Sequence, residues 1–256
     1  VHSRRFDGKG GIGLLAKAVI DGKSNESWQL LRSCDRPDSD DAVREQLRLL
    51  PSEHQIWLSA HVKQFFAPIM SSESLKKAFE QLNKYRILCV TRVGRFGVEA
   101  LNHEVELLLQ KQGVIPYKQL LYHGKPIMIN QNDYHLGLYN GDIGLIWRND
   151  KGQLMAVFEV GQGEYLSVLP SRLPQFETVF AMTIHKTQGS EFNHAVIVLP
   201  EMTNNRLLSR ELLYTGITRG KSKVSIHANK EVWQQTALSQ TKRMSGIDLF
   251  KKSETF

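Results

Sequence analysis

Ten consecutive residues, Thr183-Ile-His-Lys-Thr-Gln-Gly-Ser-Glu-Phe192, bring together hydroxyls, an imidazole, an ammonium, an amide, one glycine and a carboxylate. Packing has no use for such a run. Hydroxyls, amides and a cation crowded at the end of a parallel strand are equipment for phosphates and sugars. A polar β–α connection with Ser190 or Thr187 as a helix cap uses some of the same residue types. Full nucleoside triphosphate chemistry needs more: a phosphate cradle with a lysine, and a carboxylate for magnesium. Gly22-Lys23-Ser24 and Gly220-Lys221-Ser222 supply only the end of a G-x-x-x-x-G-K-[ST] loop, because Lys17 and Thr215 stand where its first glycine belongs. No apolar strand ends in Asp-Glu either. Gly8, Gly10 and Gly13 fit G-x-G-x-x-G, but no strand precedes them and no acidic residue follows at the right distance. That glycine run reads as a flexible entry to a helix over Leu14–Ile20.

The elements that must position the ten residues are legible around them. Glu177–Met182 reads as one strand before them and His194–Leu199 as another after them. Ser209 caps a helix over Arg210–Ile217, Lys223–His227 is a further strand, and Lys230–Leu238 a closing helix. Upstream, Arg86–Thr91 is a short buried strand that runs into the basic loop Arg92–Gly97. A helix follows with Val98, Leu101, Val105, Leu108 and Leu109 on one face. Between Ser24 and Leu82 the chain is charged and helix-biased. A loop from Cys34 caps a helix from about Asp41, Ile56, Trp57, Ala60 and Phe65 suggest one amphipathic helix, and Leu75, Ala78, Phe79 and Leu82 another. His54 and His61 lack a third ligand and read as surface or packing residues.

From Lys125 the texture changes to short strands at close spacing: Pro126–Asn130, Gly144–Trp147, Leu154–Phe158 and Tyr165–Val168, with turn signals at Asn140-Gly141 and Asp150-Lys-Gly152. This predicts a small SH3-like β-barrel over 126–175, inserted into an α/β domain made of 1–125 and 176–256. The insert shows no obvious cluster of surface aromatics for polyproline.

With 256 residues, 41% of them hydrophobic, the chain has material for a large core. The net charge of +7 favours a polyanionic partner. Two cysteines, Cys34 and Cys89, build neither a disulfide framework nor a zinc site, so a reduced, cytoplasmic setting is expected. No apolar run approaches the roughly 20 residues of a membrane span, and no membrane partner is expected. The chain opens on Val1 rather than Met and reads as a piece of something longer.

The stretch Thr183–Phe192 resembles motif V of superfamily-one helicases, and Arg210-Glu-Leu-Leu-Tyr-Thr-Gly-Ile-Thr-Arg219 resembles their motif VI. Ser3-Arg4-Arg5-Phe6 resembles motif IV. Together with Leu136–Gly144 and Pro170–Pro174, the resemblance is to the C-terminal part of the RecD family, alpha chains of the 5′-to-3′ helicase in bacterial exonuclease V. It implies a RecA-like second motor domain, a P-loop NTPase-type fold without its P-loop, that works with ATP and Mg2+. The phosphate cradle and magnesium site would belong to a first domain upstream, so this chain alone is expected to be inactive. Arg219 would be the arginine finger and Arg5 a second cation at the γ-phosphate. Gly189 would let backbone approach the nucleotide, Glu191 would accept from the ribose, and Gln188 would couple the nucleotide and DNA sites. Thr183, His185, Thr91, Arg92 and Asn102 would lie along single-stranded DNA. The beta and gamma chains of exonuclease V would be protein partners. Left open are a RecD-like or conjugative-relaxase helicase outside exonuclease V, and a non-catalytic DNA-binding adaptor. Arg219 as a mere cap on its own helix is open too.

Overall fold

The computed structural model describes residues 10–161, 163–202 and 206–241. Helices α1 (Gly11–Ile20), α2 (Ser24–Ser33) and α3 (Asp41–Gln46) open the chain and lead into β1 (Leu47–Leu49). Next come α4 (His54–His61), a π-helical turn over Val62–Phe66, α5 (Ala67–Met70), α6 (Leu75–Lys84), β2 (Tyr85–Cys89) and α7 (Val98–Lys111). Strands β3 (Lys125–Ile129), β4 (Ile143–Arg148), β5 (Leu154–Gly161), β6 (Glu164–Val168) and β7 (Phe176–Thr178) form the middle of the chain. It closes with β8 (Ala181–Thr183), β9 (Phe192–Val198), α8 (Arg210–Ile217), β10 (Gly220–His227) and α9 (Lys230–Leu238).

Two sheets result. One is parallel throughout, in the order β1-β10-β9-β2-β8. Its strands are covered on both faces, which is why they read as apolar runs. The two-residue strand period still sorts the side chains: Ala195 and Ile197 face the core under α1, α8 and α9, while Val196 and Val198 face the core under α4, α6 and α7. This doubly wound sheet is the α/β domain that the sequence implies. Caps set the helices that matter below: Ser209 accepts from the Leu212 N–H at 3.3 Å, and Asn229 accepts from Val232 at 2.8 Å.

The second sheet is antiparallel, in the order β6-β5-β4-β3-β7, and has its own core of Ile127, Ile129, Leu138, Ile146, Ala156, Phe158 and Val168. Its edge strands β6 and β7 do not pair with each other among the described residues. The ladder is a five-stranded antiparallel sheet over the stretch where the sequence predicts the inserted β-rich unit.

Several expectations are corrected. The strand read over Glu177–Met182 is two strands in different sheets: β7 pairs with β3, β8 pairs with β2, and Val179 and Phe180 carry the chain across. Both crossing residues are fully buried, so their apolar side chains look like strand interior to a pattern reading. Gly10-Gly11 is no flexible entry. Gly11 begins α1, and a Cβ there would stand 2.8 Å from the Ala42 carbonyl oxygen and 2.9 Å from the Val43 Cα. Along α4 and the π-helical turn after it the buried face runs through His54, Trp57, Leu58, Val62 and Phe66, while Ile56 and Ala60 face water. Strand β1 has only three residues and no sequence signal announced it.

Candidate functional site

The parallel sheet divides the expected residues into two groups. At its carboxyl end, Cys89 of β2 lies opposite Thr183 of β8. That register puts Thr91-Arg92, just beyond β2, beside Thr183–His185, just beyond β8. Loops at this end of a parallel sheet are where ligands sit. At the amino end, Ser190-Glu191 leads into β9 and Arg219 leads into β10, held together by the Phe192 N–H donating to the Arg219 carbonyl at 2.8 Å. Thr183 is level with Val198 through Cys89, six residues above Phe192. The groups are thus about 20 Å apart along the strands. Residues 184–191 form the link, with Gln188 exposed partway along it.

At the carboxyl end the centre is a carboxylate that the sequence did not single out. Glu177 of β7 receives Arg92 Nη2 at 2.7 Å and Lys186 Nζ at 2.9 Å; Lys186 also donates to Asn130 Oδ1 at 2.9 Å. Burial alone would raise the Glu177 carboxyl, but its bonds to Arg92 and Lys186 hold it below the ordinary value. One half-buried anion therefore ties the loop after β2, the motif segment and the antiparallel sheet at one point. No spacing rule could have found it, since its partners lie 85 and 9 residues away.

Asn102 departs from its expected place along DNA. Its side chain is buried, Oδ1 accepts from the Ala181 N–H at 2.8 Å, and Nδ2 donates to the carbonyls of Ala181 at 3.0 Å and Thr178 at 2.9 Å. Both of its donors and one acceptor position are spent on the backbone around the crossing from β7 to β8. Arg86 serves the same crossing: wholly buried, it donates to the carbonyls of Val179 and Leu82 and lies over the Phe192 ring at 5.1 Å. Burial lowers its guanidinium to about 10.

At the amino end, Arg219 follows α8. Its Nε donates to the Thr215 carbonyl of that helix at 3.1 Å, and Nη1 donates to the carbonyls of Ser190 at 3.1 Å and Thr187 at 3.4 Å. The residue thus caps its own helix and at the same time clasps the segment 187–190. Gly216 brings α8 down on Ile184 and β9: a Cβ there would meet Ile184 Cδ1 at 3.1 Å and Ile197 Cδ1 at 3.2 Å. Gly189 has φ +87°, a conformation that favours glycine, and nothing lies within 4 Å of where its Cβ would stand. Glu191 has Lys221 at 3.7 Å, and both line a cleft of about 560 Å³ with Asn83, Lys84 and Ser190. Arg5 lies outside the described residues.

His54, His61 and His194 are packing residues on the α4–α7 face. His61 meets the Tyr85 hydroxyl at 2.8 Å, His194 meets Ser225 Oγ at 2.8 Å, and His54 meets Glu104 at 2.8 Å. Among the described residues no group of three His, Cys, Asp or Glu is placed to hold a metal ion. Among the same residues no helix is long and apolar enough to cross a membrane. The antiparallel unit exposes two aromatics, Tyr134 and Tyr139.

The UvrD-like helicase C-terminal domain matches this chain over residues 178–226, the stretch that holds the β8–β9 segment and Arg219. The likeness extends further. The RecBCD enzyme subunit RecD of Haemophilus influenzae is 39% identical over 96% of this chain and 39% of its own length. RecD of Mycobacterium tuberculosis is 34% identical over 92% of this chain and 40% of its own length. The ATP-dependent RecD2 DNA helicase of Deinococcus radiodurans is 27% identical over 60% of this chain and 21% of its own length. The chain belongs to the RecD family, and it spans about two fifths of the length of the RecD relatives it matches.

Proposed function

We propose that this chain is the second motor half of an ATP-dependent 5′-to-3′ DNA helicase subunit of exonuclease V, acting in double-strand break repair and recombination. The beta and gamma chains of that enzyme would be its protein partners. The observation that carries the reading is the Arg219 clasp on residues 187–190 within a chain matched along nearly its whole length by RecD proteins. ATP would lie against the amino-end group. Magnesium and the phosphate cradle would come from the remainder of the parent, since no P-loop and no strand ending in Asp-Glu occur in this sequence. The antiparallel unit is read as the SH3-like module, supported by its first strand pairing with its last and by the 3-10 turn Pro170–Arg172 before that last strand.

In this reading Arg219 turns from the Thr187 and Ser190 carbonyls toward charge developing on the γ-phosphate. Releasing the clasp frees residues 184–191 to shift, and their far end carries Thr183, His185 and Lys186 at the DNA side. One segment thus couples hydrolysis to the grip on single-stranded DNA, with Gln188 midway and Arg92 joined to Lys186 through Glu177. Glu191 would accept from the ribose beside the open face of Gly189. A RecD-like helicase outside exonuclease V is the second reading, favoured by the Deinococcus match. Co-purification of the parent with beta and gamma chains separates the two.

The test is single-turnover ATP hydrolysis by the full-length parent carrying Arg219→Ala. A transition-state cation affects rate more than ground-state affinity, so a loss of roughly a thousandfold is expected with ATP and DNA affinity nearly kept. Arg219→Lys should rescue poorly, because a point charge lacks the guanidinium fork. Near-normal hydrolysis with a lowered melting temperature would show that Arg219 is only a clasp.

A further inference from the structure

We propose that the loop 130–142 of the antiparallel unit is a base-stacking platform for single-stranded DNA, with Tyr134 and Tyr139 as its contacting rings. This deepens the DNA reading above and rests on it. Tyr134 is 75% exposed and Tyr139 50% exposed, with ring centroids 6.1 Å apart and planes at 74°. Large aromatic rings left open to water on a loop are a recognised means of holding bases, since every base offers a face to stack on.

The loop is built to hold those rings still. Asp133 and Leu138 exchange backbone hydrogen bonds at 2.7 and 3.0 Å, and Leu138 is fully buried in the core of the antiparallel sheet. Asn132 accepts from the Asn140 N–H at 2.8 Å and donates to the Tyr134 hydroxyl at 3.2 Å. A platform already ordered loses little entropy when a base settles on it. The loop's two carboxylates are turned inward: Asp133 accepts from the N–H groups of His135 and Leu136, and Asp142 accepts from that of Tyr139. The rings are thus presented to a polyanion with the local anions directed at backbone.

Position supplies the rest. The loop starts at Asn130, which Lys186 holds beside Glu177 and Arg92. It returns to the same place through the Gly141 N–H donating to the Ile129 carbonyl at 2.8 Å. A strand whose phosphates run along Thr183, His185 and Arg92 therefore has the tyrosines at its flank. Near-perpendicular rings leave an open face for a base and do not form a slot with two parallel walls, as a polyproline helix would need.

The experiment titrates the 256-residue chain with fluorescein-labelled oligo-dT across a salt series, with a proline-rich peptide as the competing probe. Tyr134→Ala and Tyr139→Ala are each expected to weaken oligo-dT binding roughly tenfold. The slope of affinity against salt should stay unchanged, because no charge is removed. Tyr134→Phe should restore affinity, since stacking needs the ring and not the hydroxyl. Melting temperatures should not move, as both rings are exposed. If the double alanine variant binds oligo-dT like the parent chain while Arg92→Ala weakens binding, the platform is wrong and the DNA reading stands. If the unaltered chain fails to bind oligo-dT at low salt, both fall. Peptide binding that depends on the tyrosines, with oligo-dT binding unaffected, also overturns the platform.

Discussion

Replacing Asn102 with alanine separates a structural bolt from a DNA contact. The chain leaves the antiparallel sheet at Thr178 and enters the parallel one at Ala181, and between them no ladder continues. Every backbone group there must find another partner. The Val179 N–H donates to Pro126, the Val179 carbonyl accepts from Arg86, and the Phe180 carbonyl accepts from the Ile87 N–H. Asn102 alone serves the Ala181 N–H and helps both flanking carbonyls. Its removal orphans one buried donor, worth about 1–3 kcal/mol, and weakens two acceptors, for a total of about 3 kcal/mol. For a chain of this size that is a fall in melting temperature of about 6–12 °C. Asn102→Asp should do worse: it keeps the acceptor for Ala181 but points a carboxylate at two carbonyl oxygens. The assay is urea unfolding and thermal melting, with oligo-dT affinity measured well below the melting point, where it should be unchanged. A melting temperature within about 1 °C of the parent, alongside lost DNA affinity, would refute the bolt, since orphaning a buried donor is among the costly changes.

Further outcomes follow from the same contacts. Burial, then the charge of Lys223, lowers His61 to about 4; burial, then His61 and Lys223, lowers His194 to about 3; burial lowers His227 to about 4. Unfolded histidine titrates near 6.5, so the unfolded chain binds more protons between about pH 4 and 6.5. Stability is therefore full above about pH 6.5 and falls as pH drops, by about 1.4 kcal/mol per unit for each site; an equal or higher urea midpoint at pH 5 than at pH 7.5 would contradict it. Gly97→Ala places a Cβ 2.6 Å from the backbone of Arg92 and Val93. The basic loop must shift, so a loss of about 1–3 kcal/mol and weaker oligo-dT binding are expected, and an unchanged melting temperature would rule out the clash.

The sequence by itself determined the parallel α/β framework, because runs such as Arg86–Thr91 and His194–Leu199 are apolar on both faces and only a twice-covered strand is. It determined the helix from Arg210 through its Ser209 cap, and the extent of Lys230–Leu238, for the same local reason. It also set Thr183–Phe192 apart by its crowding of polar residue types, and the family resemblance pointed to Arg219. Only the tertiary structure decided what joins these parts. Whether Glu177–Met182 is one strand or two depends on which neighbours complete each ladder, and a buried crossing carries the same apolar letters as a strand. Asn102 and Glu177 act through partners up to 85 residues away, at distances set by strand register and not by spacing along the chain. The exposure of Tyr139 follows from its neighbour Leu138 entering the core, and Tyr134 is set beside it by the bridge of Asp133 to Leu138. Local chemistry and periodicity are written in short stretches of chain; contacts that depend on how two sheets meet are not.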